Sequence, residues 1–480
     1  MAKVLFIQDV LFEYQGIEAL SAYLKAKGHG VSLLVLNETG PDRIVAEVKK
    51  AAPDILAFSV TSNNYEWSVA LARRIKEALP VLSVFGGPHP TCFPDFISTG
   101  GVDVICRGDG EEALAELCSA LDRKEAIGGI RNLWVKDAAG EVRRNELRPL
   151  TEDPDVLPFC DRKIYYDNFP LLRGLSNKRF LVQRGCPYSC SFCFNNSLRD
   201  MYKGLGKFVR FRSPRNIVDE ILAVGAAYPL RSVSFNADSF TLHPQFLEFM
   251  ELYKKEVALP FFCNARFNEL TEEKIIKLKE AGCIYLAIGV ESGSARIRNE
   301  VLHRGMSDEV IIGNSRLLKK HGLPFNSYIM MGVPTETLDD AFRTLEFLAA
   351  IGSDKIMPSV YRPLFGTGLW NFMEQRGLFE DGAAGGLEPG AKLEHKRELL
   401  NLYKLSYVAV RFPRLMPLIK KLIKLPDNPV FRLLFYYGTF DAARVSRNMS
   451  FLELLRLGWK LRKTMQFKHV EDPERLKAKG

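Results

Sequence analysis

Residues 179–195 read RFLVQRGCPYSCSFCFN. The apolar run Phe180–Val182 closes on a polar pair and Gly185, and three cysteines follow at once: Cys186, Cys190 and Cys193, spaced C-x3-C-x2-C. A short apolar run of this kind, bounded by glycine, reads as a strand, so the thiols stand on the loop at its carboxyl end. Three thiols within eight residues point to a metal or redox role. A closed zinc site takes four ligands, usually in two separated pairs, and no fourth Cys or His lies nearby. A four-iron cluster held by three thiolates leaves one iron open to a ligand that is not protein.

Towards the carboxyl terminus the strand pattern repeats as SVSFN, FFCNA, IYLAIGV, FNSYIMMG and DKIMPSVY, with helical periodicity near 213–225, 243–255, 271–281, 307–320 and 337–350. Six β/α units are too few to close an eight-stranded barrel, so the spacing predicts a partial (β/α)6 barrel over 176–370. Towards the amino terminus a second alternation runs KVLFIQ, VSLLVL, DILAFSV, VLSVFGG and DVIC, with helices expected near 16–27, 41–51, 66–78, 91–99 and 111–121. Continuous apolar strands separated by helices predict a parallel sheet covered on both faces, hence a doubly wound, flavodoxin-like domain over 1–125. Ligands of such sheets sit outside the carboxyl ends of the strands. A polar hairpin, NLWVKDAAGEVRRN, and a proline-containing linker fill 126–175, and 371–480 reads as a basic helical domain. The fold class is α/β.

Composition agrees with an ordinary globular protein: 480 residues, 47% hydrophobic and 26% charged, which excludes collagenous, disordered and coiled-coil classes. The amino-terminal stretch carries only Lys3 before its apolar run and has no small-residue cleavage site, so it reads as a first strand and not a signal peptide. No window reaches the roughly 18 uninterrupted apolar residues of a spanning helix. With nine cysteines and no export signal, the expected compartment is the reducing cytoplasm, with the inner membrane surface as a further location. Charge is uneven: residues 396–480 hold 19 Lys and Arg against 7 Asp and Glu, and the remainder of the chain 47 against 50.

At the cysteine array, with the aromatic Phe192 before the last thiol, the sequence resembles the radical S-adenosylmethionine (SAM) superfamily. The resemblance implies that Cys186, Cys190 and Cys193 hold a [4Fe-4S] cluster whose open iron chelates SAM, and that one electron cleaves SAM to a 5′-deoxyadenosyl radical. It also implies contacts to SAM at the later strand ends: Asn236 and Asp238 in FNADSFT, Arg266 in FFCNARF, and Gly289, Glu291 and Ser292 in IYLAIGVESGS. In MMGVPTET the same resemblance places Gly332, Pro334 and Glu336 at the turn flanking the adenine.

The first alternation resembles the cobalamin-binding domains that precede the radical domain in cobalamin-dependent methylases and in the magnesium-protoporphyrin ester cyclase. The stretches that suggest it are SVTSNNYEW with Thr61, Ser62, Asn63 and Asn64, GGPHPT with Gly86 and Gly87, and CRGDGEEAL with Gly108 and Gly110. Glycine lets backbone approach a flat macrocycle. The D-x-H-x-x-G element of some such domains is absent: aligned on Gly16, its positions hold Leu11 and Glu13, so cobalt is expected without a histidine below it. His89 reads either as a satisfied loop histidine or as a cobalt ligand.

The remaining cysteines, at 92, 106, 118, 160, 263 and 283, show no metal spacing and read as small hydrophobes. This counts against the related tRNA methylthiotransferases, which need three further cluster cysteines. The basic stretches FPRLMPLIKKLIKLP and ELLRLGWKLRKTMQFK suit a helical cap with solvated charges, a peripheral contact with an anionic membrane or, less well, nucleic acid. The expected function is cobalamin-dependent methyl transfer to an unactivated carbon of a small-molecule or lipid substrate, fed by an electron donor such as flavodoxin or ferredoxin. Radical oxidation or cyclisation without methylation is the alternative among enzymes; a non-catalytic corrinoid or redox-responsive binding protein is the alternative outside them.

Overall fold

A computed structural model describes residues 1–40, 43–62, 64–380 and 390–446. Its first sheet has seven strands: β1 (Lys3–Gln8), β2 (Gly30–Val35), β3 (Ile55–Ser59), β4 (Leu82–Gly86), β5 (Val104–Cys106), β6 (Leu133–Lys136) and β7 (Val142–Arg144), in the order 2-1-3-4-5-6-7. The first five run parallel. Along β1, Val4 and Phe6 enter one apolar core while Leu5 and Ile7 enter another, so both faces are covered and the strand is apolar throughout. The order reverses between β1 and β3, which makes the carboxyl ends of these two strands the ligand crevice.

The second sheet begins with β8 (Asn177–Leu181). A two-residue antiparallel ladder of β9 (Gln183–Arg184) with β10 (Arg210–Phe211) brackets the cysteine loop. Then follow β11 (Ser232–Asn236), β12 (Phe261–Ala265), β13 (Cys283–Glu291), β14 (Phe325–Met331) and β15 (Lys355–Val360). All six strands of this sheet are parallel, in the order 8-11-12-13-14-15, with no pairing between β8 and β15, so the barrel is partial. Ser213, Thr271, Ser307, Thr337 and Thr367 each cap the helix that follows, the side-chain oxygen accepting a backbone N–H. Such a cap is worth about 1 kcal/mol. Helices Lys396–Arg411, Met416–Leu422 and Pro429–Ser446 pack Leu402, Leu405, Ile419 and Phe431 against the barrel core.

Three expectations need correction. The hairpin placed in the 126–175 connection is part of the first sheet: β6 pairs antiparallel with β5 through Val104 and Val135, because Leu133 and Val135 are apolar on one face and are buried there. The helix expected near 91–99 is split into Pro88–Cys92 and a 3₁₀ turn at Pro94–Ser98, since Pro94 cannot continue a helix. The segment expected near 41–51 is helical from Ile44. Of the two basic stretches, that at 453–468 lies outside the described residues.

Candidate active site at the facing strand ends

Cys186, Cys190 and Cys193 occupy the loop between β9 and helix Phe194–Met201. The loop is pinned from two sides. Ser191 donates its N–H to Leu302 O (3.1 Å) and its Oγ to Val301 O (2.6 Å), and Leu369 N–H donates to Ser191 O (2.7 Å). Phe192 packs into the apolar cluster of Ile297, Val301, Val333, Tyr361 and Leu369, which brings the array beside the Gly332–Pro334 turn. All nine cysteines are free. Burial pushes the Cys186 thiol up to about 11, with Asp238 and the other two thiols adding to the effect, and burial also raises Cys193. A positive metal centre would reverse this and hold the sulfurs as thiolates. No three Cys, His, Asp or Glu side chains among the described residues meet closely enough to ligate one ion. In a four-iron cluster each thiolate holds a different iron, so the sulfurs stand further apart than ligands of a single ion. The donor set fits a cluster and not zinc.

Two arginines converge on Cys190. Arg266, after β12, donates Nη1–H to Cys190 Sγ at 3.4 Å, donates to Arg304 O, and lies 3.6 Å over the Tyr188 ring. Arg304 donates Nη1–H to the same sulfur at 3.4 Å and Nη2–H to Gly289 O, and stands 3.8 Å from the Glu291 carboxylate. Burial raises the Glu291 carboxyl, and Arg304 and Arg266 oppose that rise. Glu291 adopts φ +65°, a left-handed conformation unusual for glutamate. Such strain persists only where the surroundings over-determine it. Arg304 escapes sequence reasoning; its one signal is the Arg-Gly pair that follows the π-helical turn Ile297–Val301.

The other residues are distributed as follows. Asp238 accepts from Asn195 Nδ2 at 3.0 Å, and burial raises its carboxyl. Asn236 donates across to Gln15 of the first domain. Gly332 (φ +75°) donates its N–H to Glu336 Oε2 at 2.6 Å, and the turn through Pro334 is buried. Ser292 is placed differently: fully buried, its hydroxyl bonds Thr344 Oγ1 at 3.2 Å and accepts from Ser294 N–H, so it braces helix Leu338–Ile351.

On the first sheet, the turn after β3 closes through Asn64, whose Oδ1 accepts from Thr61 N–H at 2.7 Å and leaves the Thr61 side chain exposed. Asn63 lies outside the described residues. Gly87, at φ +98°, has no room for a side chain: a Cβ would stand 2.8 Å from Val60 O. Gly86 is roomier, its nearest neighbour being Cys106 at 3.9 Å. Thr91 Oγ1 donates to Gly87 O (2.7 Å) and accepts from Gly108 N–H (3.1 Å), tying the ends of β4 and β5 together. His89 is stacked between Tyr65 and Phe93 (centroids 4.4 and 4.6 Å), and burial lowers it to about 4. It is a neutral packing residue with its Nδ1 3.2 Å from Ser62 Oγ. Gly110 caps helix Glu111–Arg123. Gly108 and Asp109 are filled from the other domain: Tyr202 Oη accepts Asp109 N–H at 3.1 Å and sits where a Gly108 Cβ would be. With the Gly108 position taken by Tyr202, the exposed residue Thr61 after β3 and the half-buried Gly86 and Gly87 at the end of β4 leave these strand ends, not that of β5, as the part of this edge that fits a corrin.

The two carboxyl edges face each other. Asp109 pairs with Arg184 (3.2 Å) and Arg210 (2.9 Å), which hold its carboxyl low although burial works against them, and Glu111 pairs with Arg184 at 2.5 Å. Arg179 of β8 donates to Glu13 O, and Phe93 packs at a 31° tilt against Phe365, ring centroids 4.5 Å apart. Glu13, aligned above with the histidine position of the D-x-H-x-x-G element, is buried.

Known proteins match these two units in the same order. Residues 12–118 match the B12 binding domain and residues 180–348 the radical SAM superfamily. An uncharacterised methyltransferase of Pyrococcus horikoshii, PH0819, is 30% identical over 336 residues, 68% of this chain and 70% of that protein. The anaerobic magnesium-protoporphyrin IX monomethyl ester cyclase of Rubrivivax gelatinosus is 25% identical over 360 residues, 72% of this chain and 63% of that one. Among solved structures, the cobalamin-dependent SAM radical enzyme OxsB shares the fold at 18% identity, with a TM-score of 0.68 over 98% of this chain and 76% of its own. The cofactors of the two matched units are a [4Fe-4S] cluster with SAM, and cobalamin. The chain belongs to the radical SAM superfamily, in the group whose radical domain follows a B12 binding domain.

Proposed function

We propose that this enzyme transfers a methyl group to an unactivated carbon of a small-molecule or lipid substrate. The observation that carries the reading is the apposition of two strand-end faces, one bearing the three thiols and the other the glycine turns after β3 and β4. The bound cofactors supply one-electron cleavage of SAM to a hydrogen-abstracting radical, and a methyl donor on cobalt. Cys186, Cys190 and Cys193 hold the cluster. Asn236, Asp238 and Arg266 orient the methionyl end of SAM, Gly289 and Glu291 its ribose, and the turn Gly332–Pro334 its adenine. Phe192 walls the site. On the opposite edge Thr61, Ser62, Gly86 and Gly87 would support the corrin, while the His89 imidazole is committed to its stack between Tyr65 and Phe93. An electron donor of the flavodoxin or ferredoxin class is the partner this chemistry requires. A shielded site is needed because a carbon radical reacts with any nearby hydrogen donor.

The test is anaerobic incubation of reconstituted protein with SAM, strong reductant and hydroxocobalamin. Retained cobalamin with the spectrum of cobalt lacking a nitrogen lower ligand, deoxyadenosine release, and a methylated product support the reading. Cys190→Ala should release no deoxyadenosine; if it still does, the cluster assignment fails. Deoxyadenosine with an oxidised or ring-closed product and no methylation would move the enzyme to the chemistry named for the cyclase relative.

A further inference from the structure

Helices Met416–Leu422 and Pro429–Ser446, with the turn before them, are apolar on both sides. Their inner side is used: Met416, Ile419, Ile423 and Phe431 are buried in the barrel core. A packed surface helix is ordinarily polar on its outer side. Here the outer side carries Phe412, Leu415 and Leu418, spaced three apart, then Val430, Leu433 and the pair Tyr436 and Tyr437, again at helical spacing. Leu433 is 69% exposed and Tyr436 67%. Of 17 large hydrophobic side chains exposed among the described residues, eight fall between 412 and 437. Such a concentration marks an interaction surface, since isolated exposed apolar residues are scattered.

Charge identifies what covers it. Residues 411–432 hold six cations, Arg411, Arg414, Lys420, Lys421, Lys424 and Arg432, against the single acid Asp427. Asp427 is taken by Lys404 (2.7 Å) and Arg432 (2.6 Å). Arg414, Lys421 and Lys424 are exposed, and no ion pair among the described residues holds them. A bilayer rich in anionic headgroups accepts both features, the apolar side chains at the acyl boundary and the cations at the phosphates. No described helix is long and apolar enough to cross a membrane. We propose that the 411–437 surface docks this enzyme peripherally on an anionic phospholipid bilayer. Interfacial tyrosines, with an apolar ring and a polar tip, suit that depth.

The experiment is flotation of the full-length, reconstituted enzyme with vesicles of phosphatidylcholine alone or with phosphatidylglycerol added. Binding should rise about tenfold or more with the anionic lipid and fall in 1 M salt, where the Debye length shrinks to about 3 Å. The triple variant Arg414→Glu, Lys421→Glu, Lys424→Glu should lose the anionic preference, and Leu418→Ser with Leu433→Ser should weaken what remains. All these positions lie outside the site proposed for catalysis, so retained SAM cleavage in solution reports that the variants are folded. Absence of binding to either vesicle overturns the proposal, as does binding that the triple variant leaves undiminished. Self-association that these variants abolish, without vesicle binding, assigns the face to a second copy of the chain. Retention on a single-stranded oligonucleotide in preference to vesicles assigns it to nucleic acid.

Discussion

Cys190 is the residue about which the site is organised, because two guanidiniums donate to its sulfur from loops more than thirty residues apart. Hydrogen bonds and positive charge at a cluster sulfur stabilise the reduced state and raise the potential. Arg304→Gln should therefore shift the midpoint of the reconstituted cluster to more negative values, by tens of millivolts in a redox titration followed by electron paramagnetic resonance. Arg304→Lys, which keeps the charge, should shift it less; equal midpoints in all three proteins would place Arg304 in a purely structural role. Glu336 makes a second residue-scale prediction. Burial raises its carboxyl to about 8, while the amides of Gly332 and Val333 lower it. The native state thus binds a proton that the unfolded state, near the ordinary glutamate value of 4.5, releases. Its contribution is fully present below about 4.5 and is lost as pH rises to about 8. Thermal unfolding measured across that window should fall less steeply for Glu336→Gln, which keeps an acceptor for the Gly332 amide.

At the scale of elements, the alternation of apolar runs and amphipathic stretches makes both sheets legible, since parallel strands buried on two faces leave no other pattern. The cysteine loop is legible for a different reason: ligand chemistry fixes spacing along the chain. Strand order is not written locally, and so the hairpin of β6 and β7 reads as a connection although it extends the first sheet. Arg304 and Tyr202 are illegible for the same reason, because their roles exist only once separate loops are packed together. The glycines divide likewise. Gly87 is held by a positive φ and by Val60 at 2.8 Å. Gly87→Ala should lower stability by about 1–3 kcal/mol, the cost of a strained backbone site, and should reduce cobalamin retention with it. Denaturant unfolding without cobalamin separates the two effects. Retention unchanged in a folded Gly87→Ala protein would remove the β4 turn from the corrin site.

Over the whole molecule, the question is what holds two independently covered sheets edge to edge. Arg162, 4% exposed, stands between Glu18 of the first domain (3.4 Å) and Glu220 of the barrel (3.3 Å). Desolvation offsets much of the Coulomb attraction of a buried ion pair, whereas removing one partner leaves an uncompensated buried charge. The steric part of the fit is at Gly108, where a Cβ would stand 1.7 Å from Tyr202 Oη. Gly108→Ala carries two penalties, the left-handed backbone at φ +73° and the collision. Tyr202→Leu carries a different one, the loss of the acceptor for Asp109 N–H, worth about 1 kcal/mol. In the double variant the collision disappears, so its destabilisation should be smaller than the sum of the singles by the steric term alone. Residues in direct contact show interaction energies of about 0.5–3 kcal/mol in such cycles. Additive effects in denaturant unfolding would mean that the domains do not meet at this point in solution. Non-additive effects would establish the interface that closes the two cofactor edges onto one reaction space.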